Sequence, residues 1–224
     1  MCGRFTSLLS PELLAVIYEV LAPSDLSPRY NIAPSQPVMV VRQDVSGQRE
    51  LASVNWGLIP SWAKDPSIGN SLINARGETV AEKPSFRTAF KHRRCIIPAS
   101  GFYEWVAVGG AKQPWYIKGY EDRPLSMAGL WEHWPSPDGS VVETCSIITT
   151  TANELMAPIH DRMPVILSPV SIAPWLELST KPDELKDLLR PCAPDILTAY
   201  TVSNLVNNPR FDSPACVARV CVVN

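Results

Sequence analysis

The feature that most constrains the fold is a succession of short apolar runs cut by turn residues. The chain reads PVMVVR, ELASVNWG, RRCIIPA, GFYEWVAV, QPWYIKG, PLSMAGLWEHW, VVETCSIITT and MPVIL in turn, with ACVARVCVV near its C-terminal end. These runs have strand length and are rich in β-branched and aromatic residues, and most are too short to be helices. Gly, Pro, Asp or Ser separates many of them, and VGGAKQP marks a hairpin connection. The pattern predicts high β content, mostly antiparallel.

Helical signals are fewer. In SPELLAVIYEVL, Ser10 is an N-cap candidate and Pro11 takes the first helical position, with Leu13, Leu14, Ile17 and Leu21 expected on one face. SPVSIAPWLEL and TKPDELKDLLR read as two short helices with Ser or Thr caps and early prolines. The 22 prolines are scattered instead of concentrated in a linker, and no internal repeat is evident. The expectation is an α+β fold: a single domain over residues 1–224, built on a curved, barrel-like, mostly antiparallel sheet with a few short helices.

Charge and composition exclude several classes. With 46% hydrophobic and 19% charged residues the chain has the make-up of a soluble globular protein. A formal charge of −2 carries no overall signature of a nucleic-acid binder, so any such site has to be a local basic patch. No run approaches a membrane span and no signal-peptide layout opens the chain, so no membrane partner and a cytoplasmic, nucleoid-associated location are expected. The cysteines are Cys2, Cys95, Cys145, Cys192, Cys216 and Cys221, with no C-x-x-C pair. No metal site is expected, and the last five read as reduced, mostly buried thiols.

Cys2 stands apart because of its place in MCGRF. If Met1 is removed, Cys2 carries a free amine and a thiol on adjacent carbons, a pair that no internal cysteine offers. Polar residues also sit inside apolar or turn sequence, in RYNIAPS, SLINARGET, GFYEWV and IHDRMPVIL. Among them Asn74 follows Leu72 and Ile73, Glu104 lies between Tyr103 and Trp105, and His160 follows Ile159. In an alternating strand Glu104 faces away from Tyr103 and Trp105, so one side must be wet or a pocket. Each of these residues alone reads equally as a satisfied structural group. Their combination with Cys2 points to a site.

The segments MCGRF, RYNIAP, WGLIPSWA, INARGET, GFYEW and IHDRMPVIL, in this order, resemble the SRAP family, the SOS response-associated peptidases that act as abasic-site processing proteins. The resemblance runs from Cys2 to about Leu167, with a weaker echo in YTVSNLVNN. It implies enzyme-like chemistry on DNA: the Cys2 amine condenses with the aldehyde of a ring-opened abasic sugar, and its thiol closes onto the same carbon as a thiazolidine. That ring requires an unacylated nitrogen, so removal of Met1 is expected. The free amine has an ordinary pKa of about 7.7–8.0 and the thiol about 8.5, and help from neighbours is expected to make both reactive near neutrality.

By the same resemblance, Glu104 and His160 form the acid/base pair and Asn74 holds the abasic residue or the Cys2 backbone. Desolvation by Tyr103 and Trp105 is expected to raise the Glu104 carboxyl. Arg4, Arg76 and Arg162 would form a positive strip for phosphates, although each also reads as a salt-bridge partner, Arg162 beside Asp161 above all. Pro34 and Trp62 would present apolar surface to bases, although Trp62 alone also reads as core. No cofactor is implied, and the expected partner of a monomeric chain is single-stranded DNA containing an abasic site. Two other readings stand beside this one. In the first, Cys2 is a peptidase nucleophile, acting on its own N-terminus or other peptides, with His160 as base. In the second, the chain is a DNA-binding module whose cysteine is incidental.

Overall fold

The structure is a computed structural model that describes residues 2–220. In chain order its elements are β1 (Phe5–Ser7), α1 (Pro11–Tyr18), β2 (Arg29–Ile32), β3 (Pro37–Gln43), β4 (Arg49–Trp56), β5 (Asn74–Arg76), α2 (Arg87–His92), β6 (Arg94–Ala99) and β7 (Gly101–Val108). There follow β8 (Ala111–Gly119), β9 (Leu125–Pro135), β10 (Val141–Thr151), β11 (Arg162–Pro164), β12 (Ile166–Leu167), α3 (Ile172–Leu176), α4 (Pro182–Asp187) and β13 (Leu197–Thr201).

Five strands close on themselves in the order β3, β4, β10, β9, β6 and back to β3. Closure removes the exposed sheet edges that an open arrangement would leave. A ring with an odd number of strands cannot alternate direction all the way round. One neighbouring pair must be parallel, and here it is β4 with β10, Trp56 opposite Cys145. Four of the barrel strands, β3, β6, β9 and β10, are buried on both faces along part of their length, whereas on β4 Ser53 and Asn55 are exposed. Val40, Ile97, Met127 and Ile147 belong to one core cluster, while their neighbours Val41, Ile96, Ala128 and Ile148 belong to another. Two-sided burial explains why these segments read as continuous apolar runs instead of alternating ones.

A second, open sheet runs β13-β8-β7-β1-β2 with antiparallel pairs. The expected hairpin joins β7 to β8 through Gly109 and Gly110, with φ of 58° and 83°, the left-handed pair that a tight two-residue turn needs. Gly101 lets β7 pass against its partner strand, since a Cβ there would lie 2.5 Å from the Tyr116 ring.

The sequence reading named no strand at β1, β2, β5 or β13 and no helix at α2, and three of the segments it did name differ in detail. Helix α1 stops at Tyr18 because Glu19 turns left-handed at φ 58°, so Leu14 and Tyr18 are buried while Leu13 and Leu21 face solvent. MPVIL divides at Val165, where the chain passes from the edge of β10 to that of β9: the Val165 N–H donates to Ile148 and its carbonyl accepts from Ala128. ACVARVCVV forms no strand among the described residues. Pro214–Cys216 is a 3-10 turn and Arg219 makes a single bridge to Val202. Met1 and Cys221 lie outside the described residues. Cys95, Cys145 and Cys216 are buried free thiols, and Cys192 is half-buried.

Candidate active site

Strand β10 organises the site because its two halves have different neighbours. Its first half lies between β9 and β4, and its last residues lie between β5 and β11. Ile147 is opposite Asn74, Thr149 is opposite both Arg76 and Pro164, and Thr151 is opposite Arg162. INARGET and IHDRMPVIL, far apart in sequence, therefore flank one strand end.

The second sheet supplies the rest. Phe5 is opposite Phe102, and the Tyr103 N–H donates to the Arg4 carbonyl at 2.9 Å, so the chain from Arg4 back to Cys2 runs alongside Glu104 and Trp105. The Asn74 amide crosses between the sheets and donates to the Cys2 carbonyl at 2.8 Å. Cys2 is fully buried in the cluster that contains Phe5, Trp56 and Met156. Its sulfur lies 3.9 Å from the Arg4 carbonyl.

Burial raises the Cys2 thiol far above its ordinary range, and the negative charge of Glu104 pushes the same way. This departs from the expectation that neighbours help make the thiol reactive near neutrality. Glu104, 4% exposed, is itself raised, chiefly by burial, with the charge of His160 opposing. That agrees with the desolvation expected for a carboxyl set among aromatics. A carboxyl that keeps its proton toward neutrality can donate it, and once ionised it can receive one from sulfur.

His160 is positioned through its Nδ1. The Arg162 main-chain N–H donates to that nitrogen at 2.9 Å, while the Asp161 Oδ1 lies 2.8 Å from it. These contacts require opposite protonation of Nδ1. In the neutral ring Nδ1 accepts from Arg162 and the proton is on Nε2; in the imidazolium Nδ1–H faces Asp161.

Arg4, Glu104, Trp105, Lys112, His160 and Asn207 line an open depression of about 460 Å³. A separate hollow of about 580 Å³, formed by residues such as Leu125, Ile166 and Ile172, contains no cysteine or histidine. Among the described residues no cluster suited to a metal ion occurs. No described helix is long and apolar enough to cross a membrane.

The arginines differ in their surroundings. Arg4 donates from Nη1 to the Asn31 Oδ1 at 2.7 Å and to the Val206 carbonyl at 2.8 Å. Arg76 is exposed on β5. Arg162 makes a two-pronged contact with Glu78, at 2.6 and 2.9 Å, so its ion-pair partner is Glu78 and not the adjacent Asp161. Trp62 is 58% exposed and thus outside the core, and Pro34 is half-buried in the turn after β2. Neither lines the depression.

No sequence motif singled out Asn31, Glu78, Lys112 or Asn207, and Trp105 was named only as an aromatic neighbour of Glu104. Asn31 is fully buried, and its amide reaches the carbonyls of Val206, Asn208 and Phe211. Asn207 accepts from the Trp105 indole at 2.7 Å, so the YTVSNLVNN segment becomes a wall of the site. The polar Asn inside RYNIAPS was the available signal for this clamp. Lys112 follows a hairpin turn and carries no local signal.

Fold and site together define an α+β protein that sets a cysteine near its N-terminus beside a buried carboxyl, a carboxamide and an imidazole. The family model described as SOS response associated peptidase (SRAP) matches residues 1–209. The chain belongs to that family. It is 46% identical over 222 residues to the abasic site processing protein YoqW of Bacillus subtilis, covering 97% of this chain and 99% of that one. It is 34% identical to the abasic site processing protein HMCES of Xenopus tropicalis, covering 86% of this chain and 66% of that protein. An X-ray structure of a Bacteroides thetaiotaomicron protein superposes with a TM-score of 0.89 at 30% identity, covering 98% of this chain and all of the other.

Proposed function

We propose that this chain processes abasic sites in DNA, capturing them covalently on Cys2 in single-stranded DNA and so shielding the lesion. The observation that carries the reading is the convergence on Cys2: the Asn74 amide grips its carbonyl and the charge of Glu104 reaches its thiol. Relatives named as abasic site processing proteins match along nearly the whole chain.

The reaction balances with loss of one water. Opening the sugar moves a proton from the C1′ hydroxyl to the ring oxygen and leaves an aldehyde at C1′. The Cys2 amine, free once Met1 is gone, adds to that carbon, and the resulting hydroxyl leaves as water with a proton from Glu104, giving a protonated imine and the Glu104 carboxylate. The Cys2 sulfur then adds to the same carbon while its proton passes to the Glu104 carboxylate and the nitrogen keeps one hydrogen. His160 serves proton transfer at the sugar oxygen. Closure by sulfur removes the imine that would otherwise invite β-elimination and strand cleavage.

A peptidase reading is supported less well. Thiol peptidases use a thiolate made available by a lowered pKa, whereas burial and Glu104 raise the Cys2 thiol. An oligonucleotide with one abasic site separates the readings. The proposed activity yields a heat-stable protein–DNA band on a denaturing gel that is absent with an undamaged strand. Cleavage of a peptide library without such a band would favour the peptidase.

A further inference from the structure

The Arg162 guanidinium offers a flat, two-pronged edge, and Glu78 fills it. Glu78 Oε1 and Oε2 accept from Nη1 and Nη2 at 2.6 and 2.9 Å. A carboxylate in this geometry presents two oxygens to the guanidinium as a phosphate does. The Arg162 side chain is 13% exposed and that of Glu78 47%, so the carboxylate is the solvent-facing cover and the guanidinium lies beneath it. The guanidinium does not depend on Glu78 for its place. Nη2 also donates to the Thr149 carbonyl at 2.7 Å and to its hydroxyl at 3.2 Å, so the group stays seated on β10 if the cover swings away. Hydrogen bonds from Arg162 hold the Glu78 carboxyl below the ordinary carboxylate range, and the nearby charge of Arg76 adds to this, so the cover stays anionic at neutral pH.

We infer that Glu78 is an internal competitor for the strand: its carboxylate occupies the seat on Arg162 that a backbone phosphate of single-stranded DNA takes on binding. This rests on the proposed function, capture of abasic sites in single-stranded DNA. The occupied seat keeps an arginine in phosphate-ready geometry at the cost of affinity, since the carboxylate has to leave first.

The test is equilibrium binding of an undamaged, fluorescently labelled single-stranded oligonucleotide by anisotropy at fixed low salt, so that capture chemistry plays no part. Glu78→Gln should bind roughly two- to fivefold more tightly than wild type, the scale of a partly exposed ion pair that no longer has to open. Glu82→Gln, which neutralises an exposed carboxylate four residues on, controls for a general gain in positive charge. The gain from Glu78→Gln should vanish in an Arg162→Gln background, as a double-mutant cycle requires of a contact that acts through one partner. Thermal melts establish that each variant is folded, and if Arg162→Gln is not, the comparison with Glu82→Gln decides. Equal gains for Glu78→Gln and Glu82→Gln, a gain that survives loss of Arg162, or no gain would each overturn the competitor. Failure of wild type to bind the strand at all would instead overturn the strand-binding reading on which it rests.

Discussion

The Asn74 side-chain amide donates to the Cys2 carbonyl at 2.8 Å, while its own carbonyl oxygen is buried without a hydrogen-bond partner among the described residues. The side chain thus fixes the Cys2 main chain, and under the proposed function its free acceptor would take a sugar hydroxyl or the Cys2 nitrogen. Asn74→Asp replaces the donor with a second acceptor facing the Cys2 carbonyl. It should slow capture of an abasic strand by roughly tenfold to a hundredfold, the usual cost of a misplaced reacting group. Single-turnover rates check this, with affinity for an undamaged strand expected to change little.

Glu104 links the site to stability. Its folded-state pKa is raised by burial, so the native state holds the proton at pH values where the unfolded chain has released it. The stabilising contribution of the protonated carboxyl is fully present below the ordinary carboxylate range, and it is lost as pH rises through the folded pKa. Glu104→Gln mimics the protonated form. It should flatten this decline and leave the protein more stable than wild type at pH 7, while slowing capture by roughly a hundredfold or more. Denaturant melts from pH 4 to pH 8, run beside capture rates, read both effects.

Much of the fold was legible because barrel strands buried on both faces leave unbroken apolar runs, and because Gly109 and Gly110 announce a hairpin. Helix α1 was legible at its start, where Ser10 accepts from the Leu13 N–H, and less so at its end, since nothing local predicts a left-handed Glu19. Strand β13, which pairs with β8, was missed because its residues after Leu197 are only partly buried. For the candidate site, the motifs named Cys2, Asn74, Glu104 and His160 but not their relation to one another. That relation comes from tertiary pairing: β5 and β11 meet the end of one long strand, and β1 lies beside β7. The partner of Arg162 was likewise invisible locally, because Glu78 lies 84 residues away.

Arg76 offers a test of strand binding. If phosphates of a single strand lie along β5, log–log plots of binding against salt should have a slope of roughly −0.7 per phosphate contact. Arg76→Ala should reduce the slope by about that increment across unrelated sequences. An unchanged slope would leave Arg76 without a phosphate partner.

Arg94 carries a purely structural prediction. It is 3% exposed and donates to the carbonyls of Phe90, Lys91, Trp175 and Glu177 at 2.8, 2.9, 2.7 and 2.6 Å, tying the ends of α2 and α3 to the barrel. Arg94→Met keeps the bulk but strands these acceptors. The loss should be about 3 kcal/mol, read as a lowered denaturant midpoint, with the rate of capture by the folded fraction nearly unchanged.

The central claim is that Cys2 closes a ring on the abasic carbon through both its nitrogen and its sulfur. Intact and peptide mass spectrometry of the product formed with a defined abasic oligonucleotide tests it most directly. The account predicts a single adduct on the N-terminal peptide, beginning at Cys2, with the summed mass of the Met1-free protein and the oligonucleotide less one water. It also predicts that alkylating reagents no longer find a thiol at Cys2, and that Cys2→Ser gives an adduct only after borohydride trapping. An adduct that retains Met1, that maps to another residue, or that leaves the Cys2 thiol open to alkylation would contradict it.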